Sequence, residues 1–175
     1  KEKYLDTCHS EERVTSQVLL SRKQSRVYSE ITEEMQKSVE TNELVYENQS
    51  ICLKVEHFHK DPTLEEYFLL TAIGRDRSGV EYVNSIEAKH YPFYGFQFHA
   101  EKNIFEWTSQ NAIPHSLDSA AYAQYLADFL GNEFRKSQQE FRSELTEEKV
   151  LNLKYQPFYT HQYFEQTHCF ASESQ

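Results

Sequence analysis

Residues 91–107 read YPFYGFQFHAEKNIFEW. In Phe96-Gln97-Phe98 an apolar, a polar and an apolar side chain alternate. On an extended backbone successive side chains point to opposite faces, so Phe96 and Phe98 share one face and Gln97 takes the other. Residues 93–98 are therefore predicted to form a strand that ends at His99. The end of a strand is where open α/β sheets place their ligand sites. Glu101 follows two residues on, within reach of the imidazole. A carboxylate that accepts one ring N–H sets the tautomer and leaves the other nitrogen as a base. Such a histidine can take a proton from a thiol and return it to a leaving amine. By spacing alone, a His-x-Glu after a strand is more often an ion pair at a rim than a catalytic pair.

Working outward, residues 68–73 and 80–86 read as two strands. Between them, Gly74-Arg75-Asp76-Arg77-Ser78-Gly79 is a polar loop with glycine at both ends, which predicts a hairpin. Asp61 before Pro62 reads as an N-cap and first helical position, with a short helix to follow. Ile51, Leu53 and Val55 alternate with polar residues or Cys52, which predicts a half-buried strand with the three aliphatic side chains inward. His57 and His59 would then lie on one face at that strand's end. They offer two metal ligands without a third, so an exposed polar end is the better reading. Val27, Ile31, Met35 and Val39 recur every four residues, which predicts an amphipathic helix over 26–40. Residues 1–25 are polar, apart from Val18-Leu19-Leu20, and show no clear period.

Downstream, Tyr122, Tyr125, Leu126, Phe129 and Leu130 have helical spacing, with Ser116 or Asp118 as cap. Residues 135–148 continue as surface helix or loop, and 151–159 read as a last strand. A tail over 164–175 is expected to be fixed only if Cys169 is bonded. Trp107 and Tyr94 read first as packing anchors, although a pterin ring could stack on Trp107, and His90 and His115 read as loop residues. The fold class expected is α/β, a mixed sheet flanked by helices, with the pieces forming part of a larger domain.

Composition agrees with a packed core. Of 175 residues 38% are hydrophobic, and the aromatics number 12 Phe, 12 Tyr and one Trp. Aromatic side chains bury large areas and dominate cores or interfaces. The net charge of −10, with no run of Lys and Arg, argues against nucleic acid as a partner. No apolar run is long enough to span a membrane. Cys8, Cys52 and Cys169 are far apart and have no metal-ligand spacing. One disulfide with a free thiol, or a bond to another chain, is compatible with this odd count. Asn48-Gln49-Ser50 is a glycosylation sequon. A chain beginning at Lys1 rather than Met suggests a processed or trimmed product.

The run Tyr91-Pro92-Phe93-Tyr94-Gly95-Phe96-Gln97-Phe98-His99-Ala100-Glu101-Lys102 resembles the strand ending in His-Pro-Glu of class I glutamine amidotransferases and gamma-glutamyl hydrolases. Three further features are similar to the gamma-glutamyl hydrolases in particular. These are Phe105-Glu106-Trp107, the helical stretch AYAQYLADFLGNEFR at 121–135, and Tyr155-Gln156-Pro157-Phe158-Tyr159-Thr160 with Cys169. The likeness runs roughly from Ser25 to Cys169 and is dense from Phe68 onward. It implies that residues 1–175 are the C-terminal part of one gamma-glutamyl hydrolase-like domain. It also implies His99 as catalytic base, Glu101 as its supporting carboxylate, a folylpolyglutamate substrate, no cofactor, no metal, and a secreted or lysosomal location with Asn48 glycosylated.

This sequence departs from the family pattern in three places. The family's nucleophilic cysteine sits on a glycine-flanked turn, which glycine makes possible because the backbone there is crowded. Cys8 has no glycine beside it, and the first glycine of the chain is Gly74. Cys8 is thus expected to be structural or disulfide-bonded. Ala100 stands where the family has proline, and Gln24 stands before Ser25-Arg26 where the family has a histidine thought to contact substrate. One expectation is a hydrolase whose nucleophile comes from a separate N-terminal chain. The alternatives are a catalytically inactive homologue that serves as a structural or binding component, and the glutaminase domain of an amidotransferase.

Overall fold

The structure, a computed structural model, describes residues 5–109, 111–143, 147, 151, 155–159 and 167–168. Two antiparallel sheets carry the fold. In the first, β1 (Asp6–Thr15) pairs with β3 (Val45–Cys52). In the second, β2 (Val18–Leu19), β4 (Phe68–Arg75), β5 (Glu81–Ala88) and β6 (Tyr94–Phe96) lie in the order β2-β4-β5-β6. A short ribbon joins β7 (Pro157–Phe158) to β8 (Thr167–His168). Single bridges join Tyr46 of β3 to His99, beyond β6, and Lys54, beyond β3, to Tyr82 of β5.

The β4–β5 hairpin forms as the sequence predicts. Asp76 turns the chain by accepting from the N–H groups of Ser78 (2.8 Å) and Val80 (2.9 Å) through one carboxylate oxygen. Gly79 supplies the left-handed backbone, at φ 80°. Gly74 has a different purpose from the turn residue expected. It lies within β4, where an added Cβ would come 2.7 Å from the Tyr82 ring.

Helices cover both faces of this sheet. On one face, Ala72, Phe98 and Leu19 pack with Val39 of α1 (Glu33–Thr41) and with Tyr122 and Leu126 of α5 (Leu117–Arg135). On the other, Leu70, Ile73 and Val83 pack with Phe58 of α2 (Val55–Lys60) and Leu64 of α3 (Pro62–Tyr67). Burying such side chains contributes roughly 1.5–3 kcal/mol each before entropy is counted. The caps follow sequence: Asp61 accepts from Thr63 N–H and Leu64 N–H, and Ser116 accepts from Ser119 N–H.

Four expectations are corrected. The helix predicted over 26–40 begins only at Glu33, capped by Thr32. Residues 22–30 form turns instead, because buried Glu87 of β5 accepts from the N–H groups of Arg26 and Val27 and from Ser25 Oγ. The strand predicted around Ile51, Leu53 and Val55 is β3, placed earlier and facing the other way. Ile51 is 56% exposed and Cys52 is buried, because pairing with β1 sets which face turns inward. His57 and His59 therefore lie in α2 rather than at a strand end, and they part: His57 meets Asp6 at 2.9 Å and His59 meets Glu65 at 2.6 Å. Of the last strand predicted over 151–159, only Pro157–Phe158 is strand among the described residues. The unassigned N-terminal region holds β1 and β2. Cys169 and most of the tail fall outside the described residues.

Candidate active site

The strand predicted over 93–98 is shorter: β6 ends at Phe96, so His99 lies three residues beyond it, and its placement is made by β3. The His99 N–H donates to Tyr46 O at 2.9 Å. The imidazole leans on the Tyr46 ring, with centroids 5.9 Å apart and an interplanar angle of 37°. Phe96 and Phe98 pack toward the same core, as alternation predicts, with their rings edge-on at 5.7 Å. Just after the histidine, α4 (Lys102–Phe105) is tied back to β3 as well. Asn103 Nδ2 donates to Leu44 O at 2.7 Å and also to Ser119 Oγ of α5. The loop carrying His99 is thus held on both sides, by Tyr46 of β3 and by Leu44 just before that strand.

His99 Nδ1 lies 2.8 Å from Glu101 Oε1. With Nδ1 as the donor, the neutral ring presents Nε2 as its basic nitrogen. The hydrogen bond from His99 is the main reason the Glu101 carboxyl is held below the usual carboxylate range, although desolvation opposes it. The side chains of His99 and Glu101 are 37% and 69% exposed, so the pair is open to solvent and to a substrate. Buried Lys102 sits near the same tyrosine, with Nζ 6.0 Å from the Tyr46 ring centroid.

The two described thiols are elsewhere. Cys8 and Cys52 are buried in one cluster with Tyr82, whereas the described ring and side-chain partners of His99 are Tyr46 and Glu101. Burial pushes both thiols up, away from the reactive thiolate. This agrees with a structural role for Cys8. Among the described residues there is no cluster of three or more His, Cys, Asp or Glu that could hold a metal ion.

The remaining sequence candidates divide. Ser25 and Arg26 are anchors: Arg26 pairs with Glu87 at 3.7 Å, donates to Tyr91 O at 3.0 Å and lies 5.0 Å from the centre of the Tyr94 ring. Gln24 is exposed beside them. Tyr94 is a packing residue whose hydroxyl donates to Glu133 at 2.7 Å. Trp107 is not buried as an anchor would be. It stacks on His115 at 3.8 Å with its outer face open, and His115 in turn donates to Asn103 O. Asn48 is exposed on β3, with Oδ1 accepting from Glu12 N–H at 3.1 Å. Sequence reasoning missed Tyr46 and Asn103. Tyr46 lies on β3, 53 positions upstream of the histidine, and Asn103 reaches back to Leu44 just before that strand, so no local pattern carries either contact.

No family model matches the chain. Similarity to curated proteins is nevertheless extensive. Gamma-glutamyl hydrolase B of Dictyostelium discoideum is 33% identical over 131 residues, covering 75% of this chain and 37% of that protein. Human gamma-glutamyl hydrolase is 32% identical over 136 residues, covering 78% of this chain and 42% of that protein. Gamma-glutamyl hydrolase 1 of Arabidopsis thaliana is 38% identical over 104 residues, covering 59% and 30%. The chain therefore spans less than half the length of these relatives. Among the described residues, no helix is long and apolar enough to cross a membrane. With its mixed α/β fold of the glutamine amidotransferase-like kind and this run of similarity, the chain belongs to the gamma-glutamyl hydrolase family.

Proposed function

We propose that this chain supplies the general base and its supporting carboxylate to a cysteine hydrolase of folylpoly-gamma-glutamates. The nucleophile would come from a polypeptide segment outside residues 1–175. The observation that carries this reading is the 2.8 Å contact of His99 Nδ1 with Glu101 Oε1, which turns Nε2 into the available base. In the reaction, Nε2 takes the proton of the incoming thiol, and the thiolate attacks the gamma-amide carbonyl. His99 then returns the proton to the departing amine. A water, deprotonated by the same nitrogen, releases the acyl group. Glu101 holds the ring and stabilises the imidazolium. No cofactor enters these steps. Resemblance to the family supports a secreted or lysosomal setting, and exposed Asn48 suits a glycan there.

A second reading is a non-catalytic structural or binding component. It is favoured by Ala100 in place of the family's proline, which leaves the residue before it less restricted. The test is folylpolyglutamate hydrolysis by the native protein with whatever thiol-bearing polypeptide co-purifies. Peptide sequencing and intact mass would define that material. Hydrolysis that falls roughly 10²–10⁴-fold in His99→Ala supports the enzyme. No thiol-bearing partner and no turnover would leave the binding role.

A further inference from the structure

We propose that Cys8 and Cys52 form a disulfide that staples β1 to β3, the strand on which His99 hangs. Cys8 is 1% and Cys52 0% exposed, and with Tyr82 they make up a single buried cluster. Strand pairing brings them together. Asp6 stands opposite Cys52 and Thr7 opposite Ile51, so Cys8 and Cys52 are diagonal neighbours across the ribbon. On a regular ladder such diagonal positions lie about 7–8 Å apart, beyond what a disulfide spans without a backbone shift. Here the register shifts between Thr7 and Ser10, right where Cys8 sits. A bulge of this kind re-aims the side chains beside it. Both are free thiols in this structure, held within that one cluster.

The chemistry needs an oxidant, and a small-molecule disulfide such as oxidised glutathione suffices. One cysteine loses its proton to water. Its sulfur attacks the small disulfide, forms a mixed disulfide and expels one small thiolate, which is protonated. The second cysteine, deprotonated in turn, attacks the protein sulfur of that mixed disulfide and expels the second small thiolate. Two protein thiols are oxidised, and one small disulfide is reduced to two thiols. Burial makes the folded thiols slow to react, so the bond forms as the ribbon folds or while β1 is open. Once closed, it is shielded from reductant. The loop between the cysteines is roughly 40 residues, long enough for a cross-link to restrict the unfolded chain strongly.

The experiment folds the full chain in a glutathione redox buffer, quenches it with an alkylating agent and maps its peptides without reduction. The expected result is a cross-linked peptide joining Cys8 to Cys52, with Cys169 alkylated. The oxidised chain should melt about 5–15 °C above the reduced one. That shift should disappear in the Cys8→Ser, Cys52→Ser double variant and persist in Cys169→Ser. A bond from Cys169 to either residue, or full alkylation of Cys8 and Cys52 after unfolding of the oxidised sample, overturns the pairing. A correct pairing with no change in melting overturns the staple. Mapping of the unaltered chain decides the pairing even if a variant fails to fold.

Discussion

The main-chain N–H of His99 donates to the carbonyl oxygen of Tyr46, and the two rings lie 5.9 Å apart. Tyr46 is fully buried, and its hydroxyl has no hydrogen-bond partner among the described residues. A buried orphan hydroxyl is a cost, whereas the ring below it is packing. Tyr46→Phe should thus be at least as stable as the parent. Tyr46→Ala should lose about 3–5 kcal/mol and broaden or shift the His99 ring signals in NMR. Urea titration of both variants checks this. A Phe variant as unstable as the Ala variant would show that the hydroxyl matters.

Glu101 titrates low because His99 donates to it, so its contribution is tied to one partner. Its folded pKa lies below the unfolded value. Its share of stability is therefore present above the unfolded carboxyl pKa and fades as pH falls through the folded value. Exposure keeps that share small. Carboxyl-carbon NMR should show the Glu101 midpoint rising toward an ordinary glutamate in His99→Ala. An unmoved midpoint would mean that another group holds it down.

Glu47 behaves oppositely. It is fully buried, and burial pushes its carboxyl up even though Asn84 donates to it at 2.8 Å and Gln49 donates as well. With the folded pKa above the unfolded one, its contribution to stability is complete below the unfolded value. It is lost as pH rises through the folded value. Glu47→Gln removes that titration. Its stability relative to the parent should improve as pH rises above the unfolded carboxyl value. Unfolding curves below and above that value measure the difference, and a constant gap would rule the titration out.

Gly74 has no room for a methyl group. An added Cβ would stand 2.7 Å from Tyr82 and 2.8 Å from Asn84 Nδ2, both on fully buried side chains. Overpacking of this kind costs about 1–3 kcal/mol. Gly74→Ala should lower the melting temperature accordingly, while Gly131→Ala, whose nearest neighbour is the tip of Arg135 at 3.6 Å, should not.

Local chemistry was sufficient for much of this protein. The cap at Asp61, the hairpin around Asp76 and Gly79, the helical face through Tyr122 and Leu126, and the shared face of Phe96 and Phe98 are all interactions between residues near in sequence. Their periods and turn residues are visible in the chain itself. The His99–Glu101 contact was legible for the same reason. Tertiary structure alone decided the rest. β1 is polar along much of its length and forms because β3 completes its hydrogen bonds. That pairing turns Cys52 inward and Ile51 outward, against the reading by hydrophobicity. Glu87 overrides the helical period at 26–30 because a buried carboxylate needs donors, and turns offer free N–H groups. Tyr46 reaches His99 only once two strands far apart in sequence meet, and side-chain alternation does not encode which strands will pair.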